Sequence, residues 1–403
     1  MCKIRLPLLY SLLAIIHTTT LDWHVGRPMV VEAPVKFVYT NLTPGDPCPW
    51  VRQRSGLRAQ TNVDGFAGRY LVLCFFRSAA DPAGRRAIDA MLRHRDRFDD
   101  HRVSFFGISI DPADESESRV KDISPGVHFL WDFDKSVSRQ CGALPWKQPQ
   151  NTTGPYRLFW LVVDPSLHVL ASFPISNVDD GNETVFTFLD SLPDPVNFAG
   201  FEIPAPVLIL PNVFEPGLCQ KLISLYDVGG GFESGVHRDQ AHVIDATMKR
   251  RKDYTINDQE IIRGIKIRLI RRVAPEIEKL FFMKITRMER YIVGCYAAED
   301  GGHFSPHRDN GPGLTAHRRF AVSINLNADF DGGEVCFPEY NPRGHKAPPG
   351  WAVVFPCAIL HRVLKVTRGR RYAFLPFVYD EEGARIRAAN NGQLETAGRH
   401  ERA

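Results

Sequence analysis

The sequence predicts two domains of different class: an α/β layered domain, then a β-barrel or jelly roll with helices packed outside it. Three observations carry this expectation. At 403 residues the chain is too long for one ordinary core. Continuous apolar runs alternate with helical patterns through the first half. After Arg290 the texture changes to short alternating strands separated by Gly and Pro turns.

The chain starts with Lys3 and Arg5 and an apolar run from Leu6 to Ile16. That is the shape of the first two regions of a signal peptide, but a small-residue cleavage site does not follow, and the run is too short to span a bilayer. Residues 1–34 are therefore read as a signal-like or unstructured segment. The first domain is placed at 35–195. Tyr70 to Phe76, Val103 to Ile110 and Leu158 to Val163 read as buried strands. Between the first two, Arg85 to Phe98 carries Ile88, Met91 and Leu92 at helical spacing. His168 to Phe173 returns as a hairpin partner after Asp164-Pro165-Ser166, and Val185, Phe188 and Leu189 make a closing helix.

Four prolines between Leu192 and Pro206 stop both helix and strand, so 196–210 is read as a linker. The second domain is placed at 211–385 and a polar tail at 386–403. Asn257 or Asp258 caps a helix bearing Ile261, Ile265 and Leu269, with Arg263, Lys266, Arg271 and Arg272 on a solvated face. Phe320 to Leu326, Trp351 to Phe355, His361 to Val366 and Arg371 to Val378 are the barrel strands.

Composition excludes several classes. Hydrophobic content of 44% with 24% charged residues is that of a globular protein, and a net charge of +4 makes no case for a nucleic-acid partner. The eight cysteines are scattered, with no zinc spacing and no disulfide framework, which favours reduced thiols in a cytoplasm. Secretion is the alternative, raised by the apolar start and by the sequons at Asn41, Asn151 and Asn182.

His307-Arg308-Asp309 is the stretch with chemical content. A kinase catalytic loop would need a glycine-rich phosphate loop and a later Asp-Phe-Gly, but only Asp329-Phe330-Asp331 follows. On one strand, His307 and Asp309 would face the same way. With His361 they would supply two imidazoles and a carboxylate, the facial triad of non-haem Fe(II) oxygenases. Arg371 follows His361 by ten residues across the turn Thr367 to Arg370, and a hairpin there would bring a carboxylate clamp beside the metal strand. The second such triplet, His237-Arg238-Asp239, lies after three glycines and reads as a loop or lid.

On these residues, with Cys295-Tyr296, Phe320 to Asn327, Gly332-Gly333-Glu334 and Gly369-Arg370-Arg371-Tyr372 in order, Tyr291 through Asp380 resembles the Fe(II)- and 2-oxoglutarate-dependent dioxygenases of the prolyl 4-hydroxylase type. The resemblance implies a double-stranded β-helix, with His307, Asp309 and His361 on Fe(II) and Arg371 on the distal carboxylate of 2-oxoglutarate. It places Tyr296 on the cosubstrate and makes Asn325 a candidate contact. Fe(II) and 2-oxoglutarate are the implied cofactors, with ascorbate as an accessory reductant, and O2 and an unidentified peptide or small molecule as partners. His303 and His317 are nearby candidates that read better as satisfied or solvated, and Tyr291 as a barrel residue.

Gly45-Asp46-Pro47-Cys48-Pro49 followed by the strand Tyr70 to Phe76 resembles the peroxiredoxin branch of the thioredoxin-like fold. A peroxiredoxin holds its reactive cysteine at the start of the next helix, a position that falls on Gly84 here. Cys74 and Cys48 are expected to be no replacement, and the helix N-terminus to be left as an anion-friendly pocket. The rival readings are a binding or sensor protein that docks partners through its first domain, and a thiol antioxidant.

Overall fold

The computed structural model describes residues 37–400 apart from 57–58, 148–153, 177, 179–181, 239–240 and 312. The expectations for residues 1–34 and for Asn151 lie outside these residues. In the first domain, Tyr70–Arg77 is the central strand of a five-stranded sheet. Val103–Ser109 and then Val127–Trp131 run parallel to it on one side; on the other, Phe159–Val163 is antiparallel to it and pairs in turn with Val169–Pro174 as an antiparallel hairpin. Alternation along the central strand explains its unbroken apolarity. Val72, Cys74 and Phe76 face one core, and Leu71, Leu73 and Phe75 face another. This is the expected thioredoxin-like layering.

The helix Pro82–Arg93 starts three residues earlier than the sequence suggests, with Pro82 at its first position. Its buried stripe runs through Ala83, Ala87, Ile88 and Met91, so Leu92 is 43% exposed rather than in the core. The closing helix Glu183–Ser191 buries Val185, Phe186 and Leu189. Asn182 just before it is buried, and its Oδ1 accepts from Trp160 Nε1 and Ser176 N, which removes it as a glycosylation acceptor in the folded chain.

The second domain is built from two sheets. The larger holds nine strands, with Phe320–Asn325, Arg370–Phe374 and Ile292–Ala297 adjacent at its centre. The smaller orders Lys249–Arg250, His303–His307, His361–Val363, Val335–Cys336 and Gly344–His345. Tyr296 and Ala321 from one sheet and Val335 and Val363 from the other share a core, which is the jelly-roll arrangement. The helices Pro216–Gly229, Gln259–Arg272 and Ala274–Phe281 cover the outer face of the larger sheet. Asp258, not Asn257, caps the second, accepting from the backbone of Glu260 and Ile261.

Several boundaries differ from the sequence reading. Leu208–Leu210, inside the expected linker, is a strand that pairs with Ala352–Val354. His361–Val363 and Val366–Arg368 are separate strands in different sheets, and Pro376 breaks the last run into Arg370–Phe374 and Phe377–Tyr379. A helix, Glu381–His400, crosses the expected start of the polar tail. Val236–Arg238 pairs with Ala241–Val243, so the second His-Arg-Asp triplet enters a small hairpin rather than a loop; Asp239 is outside the described residues. Among the described residues no helix is long and apolar enough to cross a membrane.

Candidate metal and cosubstrate site

Both histidine candidates are on the smaller sheet, and the aspartate follows directly from one of its strands. A β-bulge between Phe304 and His307, a stretch containing Pro306, sets His307 directly opposite His361 on the antiparallel neighbour. Asp309 is not on the strand as expected. It lies two residues beyond His307, after the strand ends, with its N–H held by Cys357 O at 3.0 Å. The carboxylate still converges. Asp309 Oδ1 is 3.5 Å from His307 Nε2 and its Oδ2 is 3.1 Å from His361 Nε2. One ligand atom from each of the three lies within 4.8 Å of the others.

The second nitrogens fix which atoms face the centre. His307 Nδ1 is 2.8 Å from Ser305 O and His361 Nδ1 is 3.1 Å from Ile359 O. A neutral imidazole that donates from Nδ1 to a carbonyl leaves Nε2 as its ligand atom, and in both histidines Nε2 is the nitrogen on the Asp309 side. Burial and the neighbouring His361 push the His307 imidazole down to about 4, so at neutral pH it carries no competing proton. Burial alone would raise the Asp309 carboxyl, but the imidazoles of His361 and His307 hold it well below the usual carboxylate range.

Arg371 sits across the cavity on the larger sheet. It does not return beside the metal strand through a hairpin. Gly369, at φ +71°, turns the chain out of the short strand Val366–Arg368, which pairs with Asp331–Gly332, and the next strand joins the larger sheet between Ile292–Ala297 and Phe320–Asn325. Arg371 stands directly opposite Tyr296 in that register. Arg371 is 2% exposed. Nε donates to Asn325 Oδ1 at 2.9 Å and Nη2 to Ser323 Oγ at 2.8 Å, while the buried Nη1 has no partner. A buried cation with an open donor, facing the cavity that holds the triad, fits a ligand carboxylate.

Asn325 has a different part from the one expected. Its Oδ1 takes Arg371 and its Nδ2 donates to Ala347 O at 2.7 Å, so it orients the guanidinium and does not line the cavity. Tyr296 does line it. Its hydroxyl accepts from Arg251 Nη1 at 3.2 Å, which leaves its own proton for a ligand. Arg370 is exposed and donates to Glu299, and Tyr372 packs on the far face with its hydroxyl on Asp227. His303 binds backbone carbonyls, and His317 is buried beside Glu289; neither lines the cavity.

Sequence reasoning missed Arg251, Ser323 and Arg290, which also line the cavity. Arg251 is buried against Asp253, with Nε–Oδ1 at 2.6 Å and Nη2–Oδ2 at 2.7 Å. Its only signal was the charge alternation Arg251-Lys252-Asp253 at the start of a short strand, which looks like a solvated edge.

In the first domain, Gly84 is the third residue of its helix. A Cβ there would stand 2.2 Å from Ser78 O and 2.6 Å from Phe76 O. At this helix start a cavity is lined by Arg77, Asp81, Pro82, Ala83, Tyr156 and Leu158; the carboxylate of Asp81, the cap residue, makes no bond to the helix N–H groups and pairs with Arg77. Gly84→Cys is accordingly expected to destabilise the first domain by about 1–3 kcal/mol through overpacking. A urea unfolding curve followed by tryptophan fluorescence measures this, and an unchanged midpoint would contradict it. Cys48 and Cys74 are both buried, and burial pushes the Cys48 thiol up to about 12.

Residues 291–379 match the 2OG-Fe(II) oxygenase superfamily and residues 44–170 match the AhpC/TSA family. A PKHD-type hydroxylase of Synechococcus sp. is 32% identical over 94 residues, 22% of this chain and 41% of that protein, so the chain spans less than half the length of this relative. Another, from Paraburkholderia phymatum, is 29% identical over 180 residues, 41% of this chain and 75% of the relative. The first domain is similar to the peroxidoxin BcpB of Mycobacterium tuberculosis, at 20% identity and a TM-score of 0.33, over 38% of this chain and all of that one. The C-terminal half thus contains a match to the 2OG-Fe(II) oxygenase superfamily, and the N-terminal half a match to the AhpC/TSA family.

Proposed function

We propose that the chain is a 2-oxoglutarate-dependent dioxygenase that hydroxylates a C–H bond of a peptide or small molecule. The carrying observation is one buried cavity in which three ligand atoms converge within 4.8 Å opposite an arginine whose Nη1 has no protein partner. His307 Nε2, the Asp309 carboxylate and His361 Nε2 would hold Fe(II). Arg371, steadied by Asn325 and Ser323, would take the distal carboxylate of 2-oxoglutarate, and the Tyr296 hydroxyl would donate to the same molecule. Fe(II) with 2-oxoglutarate supplies the oxidation of a C–H bond by O2, with succinate and CO2 as the other products.

The chain's own residues do the positioning. Arg251 fixes the Tyr296 hydroxyl, and Asp253 keeps Arg251 compensated in a dry setting. Phe304, Val335, Phe355 and Phe377 line the cavity and keep water from the reacting centre. Prolyl peptides are the first substrates to test, on the sequence resemblance to prolyl 4-hydroxylases.

Purified chain supplied with Fe(II), 2-oxoglutarate, O2 and ascorbate should release succinate, faster with a true substrate from a panel of peptides and metabolites. His361→Ala should release none. Cosubstrate binding with no succinate release for any panel member would favour the sensor reading instead. Peroxidase activity is not expected, because the Cys48 and Cys74 thiols are buried and raised away from the thiolate form. Rapid peroxide consumption by the full chain, lost in Cys48→Ser or Cys74→Ser, would restore the antioxidant reading. The seven free described cysteines and the buried Asn182 support a reducing cytoplasm over secretion.

A further inference from the structure

The residues that flank the metal-ligand candidates do not belong to the second domain alone. Arg308, between His307 and Asp309, points away from the cavity and into the first domain. Its Nε donates to Asp64 Oδ2 at 2.8 Å, where Asp64 lies in the first-domain turn Val63–Phe66. Its Nη2 donates to Glu339 Oε1 at 2.5 Å, and its guanidinium lies 4.9 Å from the Trp50 ring. Leu360, directly before His361, is 1% exposed and packs in a first-domain core with Val51, Val63 and Leu71. The same Glu339 accepts the Leu360 N–H at 2.7 Å.

From this we infer that the first domain is a built-in scaffold for the metal centre and that Asp64 is a positioning residue for it. The inference rests on reading His307, Asp309 and His361 as the metal site. Asp309 is beyond the end of its strand, so sheet pairing alone does not hold it in place. A half-buried arginine next to it, tied at once to a carboxylate of each domain, does. The Leu360 side chain anchors the approach to the third ligand in the same way, and Glu339 ties the two approaches together. A first domain whose described thiols are all buried is thereby given a task, since it fixes two ligand segments before the metal arrives. Pre-ordered ligands bind more tightly, because the ordering cost is met on folding.

The test uses the full chain and Co(II) as a spectroscopic stand-in for Fe(II). Asp64→Ala is expected to weaken Co(II) binding roughly ten-fold, the low end for partners beyond the ligands themselves. At saturating Co(II) its d–d absorption spectrum should differ from that of the unchanged chain, which a general loss of stability would not produce. Asp96→Ala, on an exposed first-domain carboxylate, should alter neither. If Asp64→Ala does not fold, Asp64→Asn, which keeps the shape and removes the charge, decides by the same two readouts. Unchanged affinity and spectrum in the folded variant would overturn the positioning role. Failure of the unchanged chain to bind Co(II) would instead overturn the metal site itself.

Discussion

Asp309→Ala is expected to remove metal binding and all 2-oxoglutarate turnover. Asp309 is the anion of the triad, and its two oxygens reach toward one imidazole each, at 3.5 and 3.1 Å. Two neutral imidazoles on one face of a divalent ion are a poor site, since charge compensation and a third ligand vanish together. The loss should exceed the roughly 100-fold typical of removing a partner one layer further out. The fold should survive, because the anchoring of this segment runs through the Asp309 N–H on Cys357 O and through Arg308, neither of which the substitution touches. Metal analysis after desalting, with succinate release measured in parallel, gives the answer. Full iron occupancy in the variant would show that the ion is held elsewhere.

The convergence of His307, Asp309 and His361 was legible because its signal is local. Two ligand types two residues apart and a third at the start of an apolar strand need little tertiary knowledge. The strand reasoning behind it was nonetheless incomplete: Asp309 converges through a loop held by backbone and by Arg308, not through strand alternation. The buried strands of the first domain were legible for the same reason, as both faces of Tyr70–Arg77 are covered and every residue but the last is apolar. What the sequence hid is long-range. Arg251 and Asp253 look like a charged edge until the strand Lys252–Thr255 pairs with Ile292–Ala297 and carries them beside Tyr296. The reach of Arg308 to Asp64 spans 244 positions, and no periodicity records it. Asn325 was found but given the wrong part, because a polar residue on a barrel strand reads as a ligand contact unless its neighbour's demand for an acceptor is known.

Arg371→Ala is expected to raise the 2-oxoglutarate requirement more than 100-fold while leaving metal binding within a few-fold of normal. The guanidinium is buried, and two of its donors are already spent on Asn325 and Ser323, so the partnerless Nη1 is the one aimed at a ligand. Losing a charge-assisted hydrogen bond in so dry a place costs on the order of 3–5 kcal/mol, because the partner carboxylate would then be buried uncompensated. Lysine is a poor substitute. Its ammonium cannot hold Asn325 and Ser323 in one plane while serving the ligand, so Arg371→Lys should recover only part of the affinity. Arg370→Ala sets the register. Arg370 is on the opposite, exposed side of the same strand and pairs with Glu299, so its removal should change the requirement by less than about two-fold, as an exposed pair contributes little. Titrating 2-oxoglutarate against succinate release and against binding in the absence of O2 separates affinity from turnover. A larger effect for Arg370 than for Arg371 would mean that the strand is out of register by one residue, and the opening opposite the metal ligands would then belong to the substrate and not to the cosubstrate.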